Sequence, residues 1–216
     1  MTATASRMLV PLHRLLATGL VLLTPFGAVA HHAHDYAPPA TAWQALASGL
    51  AHPLLSGPHL VALLALGTLA AARSHGGGML LAFCGGSILT ALAFAAGAAG
   101  WPAHDLWVAA TLALAAAWLC REQVASGSNR LAILLMVGLA GSIHGQIAAE
   151  SIETNNPAIL ASYWVGIAIA QFALGSAVLA GVRRMRATRE TLVGKLRLTA
   201  AALSAGAACG VLFAFA

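Results

Sequence analysis

Six long apolar segments, separated by short polar stretches, constrain the fold of this chain more than any other feature. A helix rises 1.5 Å per residue, so about 20 apolar residues cross the roughly 30 Å hydrocarbon layer of a membrane. The chain is 60% hydrophobic and 8% charged, which leaves too little polar surface to cover a soluble globule. We therefore predict an all-α, polytopic membrane helix bundle, a transmembrane domain over residues 43–216 whose six spans lie at 43–72, 77–99, 106–120, 131–149, 158–182 and 198–216.

The first 30 residues have the composition of a secretory signal peptide. Arg7 and Arg14 make the start of the chain basic, and an apolar stretch follows over 15–26. Ala28-Val29-Ala30 then fits the small-x-small rule for cleavage. Cleavage would leave residues 31–42 as a His-rich periplasmic N-terminal segment. The competing interpretation is an uncleaved first span, although 15–30 is short for a full crossing.

The segment 31–42 opens with His31, His32 and His34, and Asp35 follows directly. Three imidazoles and one carboxylate within five residues can capture a divalent cation such as Ni²⁺, Co²⁺, Cu²⁺ or Zn²⁺. We predict that these side chains collect metal. The alternative is a solvated polar leader with no such role.

The charged residues predict how the chain is oriented. If the mature N-terminus lies outside and the loops alternate, every basic residue faces the cytoplasm, as the positive-inside rule requires of a multi-pass protein of the bacterial inner membrane. This topology accounts for the net charge of +5, so we expect lipid and not nucleic acid around the chain. The cytoplasmic set is Arg73, Arg121, Arg130, Arg183, Arg184, Arg186, Arg189, Lys195 and Arg197; the outer set is Asp35, Asp105, Glu150, Glu153 and His104 with the three N-terminal histidines.

Two imidazoles, His52 and His59, stand in the outer half of the first span, on either side of Ser56-Gly57-Pro58. On an unbroken helix their spacing of seven residues would separate them by roughly 10 Å. Pro58 has no amide proton and crowds the preceding turn, so we predict a break near Gly57. The break either brings His52 back toward His59 or leaves the two histidines as separate binding positions along the path of an ion.

The fourth span contributes His144 at the same predicted depth, and Glu150 follows at its rim. Imidazoles with one carboxylate suit Ni²⁺, Co²⁺, Zn²⁺ and Cu²⁺ alike, so we predict a metal site made by His52, His59, His144 and Glu150. Gln146 and Ser56 are candidate outer partners of the ligands. The alternative for Glu150 is a wet interfacial carboxylate, because six residues place it on another helix face than His144.

Other polar and aromatic residues have structural interpretations. Gln171, in the middle of the fifth span, predicts an interhelical hydrogen bond. Trp43, Trp101, Tyr163 and Trp164 lie near span ends, which is typical of membrane-interface aromatics. His75 and His104 fall in loops and are expected to be solvated. The sequence carries no nucleotide-binding loop or nucleophile motif, so we predict that the protein is not an enzyme.

The pattern resembles the HupE/UreJ family of bacterial membrane proteins. His52-Pro53 and His59 match the motif of the family's first span, residues 60–67 continue it, and His144-Gly145 matches the fourth span. Pro58 stands where the family motif has an Asp, and Gln171-Phe172 where a family-like His is expected. The resemblance implies a nickel or cobalt permease that serves hydrogenase and urease maturation proteins.

Two functional hypotheses follow. The first is an uptake permease for a transition metal, Ni²⁺ or Co²⁺ by resemblance and Zn²⁺ or Cu²⁺ by ligand chemistry, which carries the ion as cargo with no tightly bound cofactor. The second is a non-transporting membrane subunit that binds metal or assists metalloenzyme maturation. A membrane enzyme that uses a bound metal is a third and weaker interpretation.

Overall fold

The computed structural model describes residues 38–121, 129–152 and 154–214. These ranges contain seven helices and no strand, which confirms the all-α prediction. The predicted signal peptide, the histidines His31, His32 and His34, and Glu153 lie outside the described residues. The helices are α1 (Ala42–Leu55), α2 (Gly57–Ala71), α3 (Gly76–Ala95), α4 (His104–Cys120), α5 (Arg130–Glu150), α6 (Pro157–Arg186) and α7 (Glu190–Phe213).

The predicted break in the first apolar segment falls at Ser56, which joins α1 to α2. The two helices meet at an angle of 72°. The backbone of Ser56 is extended, with φ −83° and ψ 106°. Pro58 lies in the first turn of α2, where backbone amides have no acceptor within the helix, so the absence of an amide proton costs no hydrogen bond. The Ser56 amide still donates to the His52 carbonyl oxygen at 2.9 Å. Ser56 therefore ends α1 with a backbone hydrogen bond, while its side chain makes no capping bond to α2.

The number of spans differs from the six predicted. Among the described residues, α3, α5, α6 and α7 are long and apolar enough to cross a membrane, and the bent pair α1 and α2 makes a fifth span if it counts as one. The predicted span at 106–120 forms α4, whose 17 residues reach only about 26 Å. Its start is set by Ala103, which has a left-handed backbone with φ 52° that cannot continue a right-handed helix. The fold is that of a multi-pass helical membrane protein.

Helix α2 lies at the centre of the bundle. It packs against α3, α4, α6 and α7, while α1 packs along α6, α3 along α5, and α4 along α7. Its sequence is apolar on all sides, and most of its residues are buried, as expected for a helix surrounded by others. His59, in the first turn of α2, is thereby placed inside the bundle.

Glycines allow two of these helix pairs to approach closely. A Cβ atom on Gly86 of α3 would overlap the Gly138 carbonyl oxygen of α5, and one on Gly49 of α1 would overlap the Tyr163 carbonyl oxygen of α6. Small residues permit backbone contact of this kind between membrane helices. These contacts bring Ser87 against α5 and Tyr163 against α1.

The two ends of the bundle carry different charges. At one end the Arg183 Nη2 atom donates to the Arg73 carbonyl oxygen at 2.7 Å, and the Arg73 guanidinium lies 4.9 Å from the centre of the Trp118 ring. At the other end His104, at the start of α4, contacts both Asp105 and Glu150, which lies at the end of α5. This arrangement agrees with the separation of basic from acidic residues expected from the sequence.

Candidate metal centre

Three buried histidines from three helices form a row at the centre of the bundle. The ring centre of His59 on α2 lies 5.2 Å from that of His52 on α1 and 5.1 Å from that of His144 on α5. Their exposed fractions are 0% for His59, 7% for His52 and 1% for His144. We call His52, His59 and His144 the imidazole row. The bend at Ser56 produces the first contact, because it turns α2 back so that the two rings meet edge to face.

Each ring of the row touches a polar side chain from a neighbouring helix. The His52 Nδ1 atom lies 3.1 Å from the Tyr163 hydroxyl of α6, and the His144 Nε2 atom lies 3.0 Å from the Thr111 hydroxyl of α4. The His59 Nε2 atom lies 3.5 Å from the Gln171 Nε2 atom of α6. Such partners fix the orientation of an imidazole and decide which nitrogen is available to a metal.

Gln171 forms the interhelical contacts that the sequence predicts. Its Nε2 atom donates to the Ser87 hydroxyl at 3.3 Å, and Ser87 donates in turn to the Gly141 carbonyl oxygen at 3.0 Å. The chain of contacts thus links α2, α6, α3 and α5 around His59.

Several polar atoms in this region are buried and have no hydrogen-bond partner in the described part of the chain. They are the Nδ1 atoms of His59 and His144 and the Oε1 atom of Gln171. A buried polar atom without a partner costs about 1–3 kcal/mol, so native proteins rarely leave one without a reason. Three such atoms on His59, His144 and Gln171 therefore favour a bound polar species, such as water or a cation.

A cavity of about 230 Å³ reaches the row at His144, between α2, α4 and α5. Thr111 and His144 bring polar atoms into a lining that is otherwise aliphatic and aromatic, with Phe83, Trp107 and Leu139 among its members. The cavity gives the His144 ring space on one side.

Glu150 lies away from the imidazole row. Helix α5 continues unbroken through it, so its position is about 9 Å along the axis from His144 and on another face. Its carboxylate accepts from Gln146 Nε2 at 2.8 Å and lies 3.4 Å from His104 Nε2. We call His104, Asp105 and Glu150 the outer cluster. His104, which was expected to be solvated, is partly buried and lies 3.2 Å from Asp105.

Three side chains have other surroundings than the sequence indicates. Tyr163 and Trp164 were expected at the membrane interface, but both are buried, because Gly49 and Gly166 bring α1 into contact with their turn of α6. Gln146 was expected beside the histidines, but its side chain bonds the backbone of Trp101, accepting at 2.9 Å and donating at 3.2 Å. The sequence reasoning missed Thr111 and Tyr163 as partners of the row and Ser87 as a partner of Gln171. Serine and threonine hydroxyls on helices usually bond their own backbone, and Tyr163 was interpreted as an interface aromatic.

In ranges 38–121, 129–152 and 154–214, no group of three or more His, Cys, Asp or Glu side chains is arranged to hold one metal ion. The imidazole row is a series of two neighbouring pairs, with His59 as the member common to both. Two imidazoles with water or amide oxygen as further ligands suit Ni²⁺, Co²⁺, Zn²⁺ and Cu²⁺. The described residues therefore offer two neighbouring pairs of imidazoles and not one closed site of three.

Fold and site together define a multi-pass helical membrane protein with a buried row of imidazoles. The chain matches the family described as HupE / UreJ protein over residues 19–212, and it belongs to this family, as the resemblance in its sequence predicted. Comparison with curated proteins and with solved structures gives no match.

Proposed function

We propose that this protein is an uptake permease for a divalent transition metal, Ni²⁺ or Co²⁺, in the bacterial inner membrane. The observation that carries the proposal is the position of His59, whose ring touches both His52 and His144 inside a membrane-spanning bundle. Buried imidazoles are costly in a membrane and mark ion pathways. Membership of the HupE/UreJ family supports the same assignment, because the resemblance to this family implies nickel or cobalt uptake.

The proposed path begins at the acidic end of the bundle, which faces the periplasm. His31, His32 and His34 would collect the ion, and the carboxylates of Glu150 and Asp105 would raise the local cation concentration at the outer cluster. The ion would then exchange water for the imidazoles of the row, two at a time. Neutral imidazole suits this role, because it holds the ion without neutralising the charge that drives it inward.

Rearrangement around Ser56 would let the ion continue. The break between α1 and α2 exposes carbonyl groups that an intact helix would use internally, and such breaks line cavities in many transporters. The metal is cargo in this account. Metalloenzyme maturation proteins on the cytoplasmic side are the proposed recipients.

A specific observation favours a second candidate, a non-transporting accessory subunit. The contacts of Tyr163 with His52, Thr111 with His144 and Gln171 with His59 connect α1, α2, α4, α5 and α6. In the second candidate these polar groups stabilise the bundle and bind metal or a partner protein without moving an ion.

Metal accumulation in cells separates the two candidates. We expect His52→Ala and His59→Ala to lower Ni²⁺ or Co²⁺ accumulation to the level of cells lacking the protein, at equal amounts in the membrane. His75→Ala is the matched control, because His75 lies before α3, outside the row, and should leave accumulation unchanged. Full accumulation in both row variants would favour the accessory subunit.

A further inference from the structure

The hydroxyl of Thr111 determines which nitrogen of His144 carries the proton. Its single proton is donated to the Val108 carbonyl oxygen at 2.8 Å. The same oxygen lies 3.0 Å from His144 Nε2, so toward that nitrogen it can only accept. His144 must therefore carry its proton on Nε2. Its Nδ1 atom, which is buried and has no hydrogen-bond partner among the described residues, then holds a lone pair.

The hydroxyl of Ser87 imposes the opposite arrangement on His59. Ser87 donates its proton to the Gly141 carbonyl oxygen, so it accepts from Gln171, whose NH₂ group must face it. The same NH₂ group lies 3.5 Å from His59 Nε2, which therefore accepts. The proton of neutral His59 is left on Nδ1.

We propose that Thr111 and Gln171 are positioning residues that hold His144 and His59 in opposite tautomers when no metal is bound. His144 presents a bare Nδ1 atom and is the first of the two rings that can bind an ion. His59 cannot bind through Nδ1 until that atom loses its proton. The metal-binding order rests on the proposed function, whereas the two tautomers rest on the hydrogen bonds alone.

When His59 changes tautomer, it loses one proton and gains one. The Nδ1 proton leaves to water, and a proton from water arrives at Nε2, so the ring stays neutral. Nε2–H then needs an acceptor, which Gln171 supplies when its amide group turns its oxygen toward His59 and Ser87. The Ser87 hydroxyl then turns its proton from the Gly141 carbonyl oxygen to that amide oxygen. Gln171 Oε1 is the buried atom without a partner in the described structure, so this turn gives it one. Binding through Nδ1 of His59 therefore requires this rearrangement, whereas binding through Nδ1 of His144 requires none.

The first test reads the tautomers directly by ¹⁵N NMR of the full-length, metal-free protein with labelled histidine. We expect His144 to be protonated at Nε2 and His59 at Nδ1. Thr111→Val should give His144 a mixture of tautomers and leave His59 unchanged, while Thr111→Ser should restore the wild-type spectrum. Gln171→Glu, whose carboxylate only accepts, should move the His59 proton to Nε2. A wild-type spectrum with both rings in the same tautomer would overturn the proposal, as would a Thr111→Val spectrum identical to that of the wild type.

A second measurement separates this proposal from the proposed function. Zn²⁺ titration of the same samples should show about 10- to 100-fold weaker binding in Thr111→Val and wild-type binding in Thr111→Ser. If the tautomers are as expected but Zn²⁺, Ni²⁺ and Co²⁺ do not bind, the permease function fails and the tautomer assignment stands. If the metals bind but Thr111→Val binds Zn²⁺ as the wild type does, the role of Thr111 in binding is refuted.

Discussion

His59 and His144 lie on different helices, and their ring centres are 5.1 Å apart in the buried middle of the bundle. Both rings are almost completely buried, and burying polar groups costs free energy unless they are fully bonded. Each ring is held by a side chain from another helix, yet each keeps one buried nitrogen without a hydrogen-bond partner in the described structure. This combination of fixed orientation and unused nitrogen is what a ligand pathway requires.

Because burying the polar ring of His59 costs free energy, we predict that a variant without this ring keeps its stability and loses metal binding. His59→Leu replaces a buried polar ring with an apolar side chain of similar size. It removes a buried Nδ1 atom that has no hydrogen-bond partner among the described residues, and this gain offsets the loss of the 3.5 Å contact with Gln171. We expect the free energy of unfolding in detergent to stay within about 1 kcal/mol of the wild type, while metal binding is lost. A loss of metal binding that accompanies unfolding would instead assign His59 a structural role.

The approach of α3 to α5 depends on Gly86. Gly86→Ala places a methyl group against the Gly138 carbonyl oxygen, a backbone atom that cannot turn away. We expect a loss of about 1–3 kcal/mol in thermal unfolding, as is typical of overpacking. Gly85→Ala is the matched control, since a Cβ atom there meets nothing within 4 Å and alanine favours the helix. Equal melting temperatures for the two variants would mean that the close contact does not stabilise the bundle.

The Tyr163 hydroxyl orients His52 through a contact of 3.1 Å. Tyr163→Phe removes this hydroxyl and keeps the ring, so we expect a small loss of stability of about 1 kcal/mol and a 10- to 100-fold weaker metal affinity. Calorimetric titration with Co²⁺ measures the affinity. Ser162→Ala, at the position before Tyr163, removes a hydroxyl that donates to the Ala158 carbonyl oxygen of the same helix. This control should have no effect on affinity. Unchanged affinity in Tyr163→Phe would mean either that His52 does not bind the metal or that its orientation does not affect binding.

The outer cluster is predicted to act by attraction. Glu150→Gln keeps the size of the side chain and its contact with Gln146 but removes the charge beside His104. We expect about a tenfold higher concentration for half-maximal uptake at low ionic strength, a smaller effect at high salt, and an unchanged maximal rate. Glu190→Gln, at the start of α7 and on the basic side, is the control. A large fall in the maximal rate would instead place Glu150 among the ligands of the ion in transit.

The sequence predicts those parts of the site that depend on local chemistry. The break at Ser56 follows from the missing amide proton of Pro58. The sequence left open whether the break would bring His52 to His59, and the structure shows that it does. His144 could be placed at the same depth because alternating loops determine the direction of its helix. The sequence predicted these three residues as one group with Glu150; the structure brings the three rings together and leaves Glu150 apart from them.

The remaining features depend on packing that a single sequence does not specify. Tyr163 resembled an interface aromatic until the contact of Gly49 with its carbonyl group buried it against α1. Glu150 could join the row only if α5 ended early, and the helix continues through it. Thr111 belongs to an apolar run in which a hydroxyl normally bonds its own backbone, and here the same oxygen does so and also meets His144.

Flux of Co²⁺ into proteoliposomes that contain only the purified protein tests the central claim most directly. With a Co²⁺ gradient directed inward, we predict flux in the wild type and in His75→Asn, and a rate in His59→Asn no higher than in liposomes without protein. A His59→Asn protein that is folded and carries Co²⁺ as fast as the wild type would contradict the claim that the ion passes along the imidazole row.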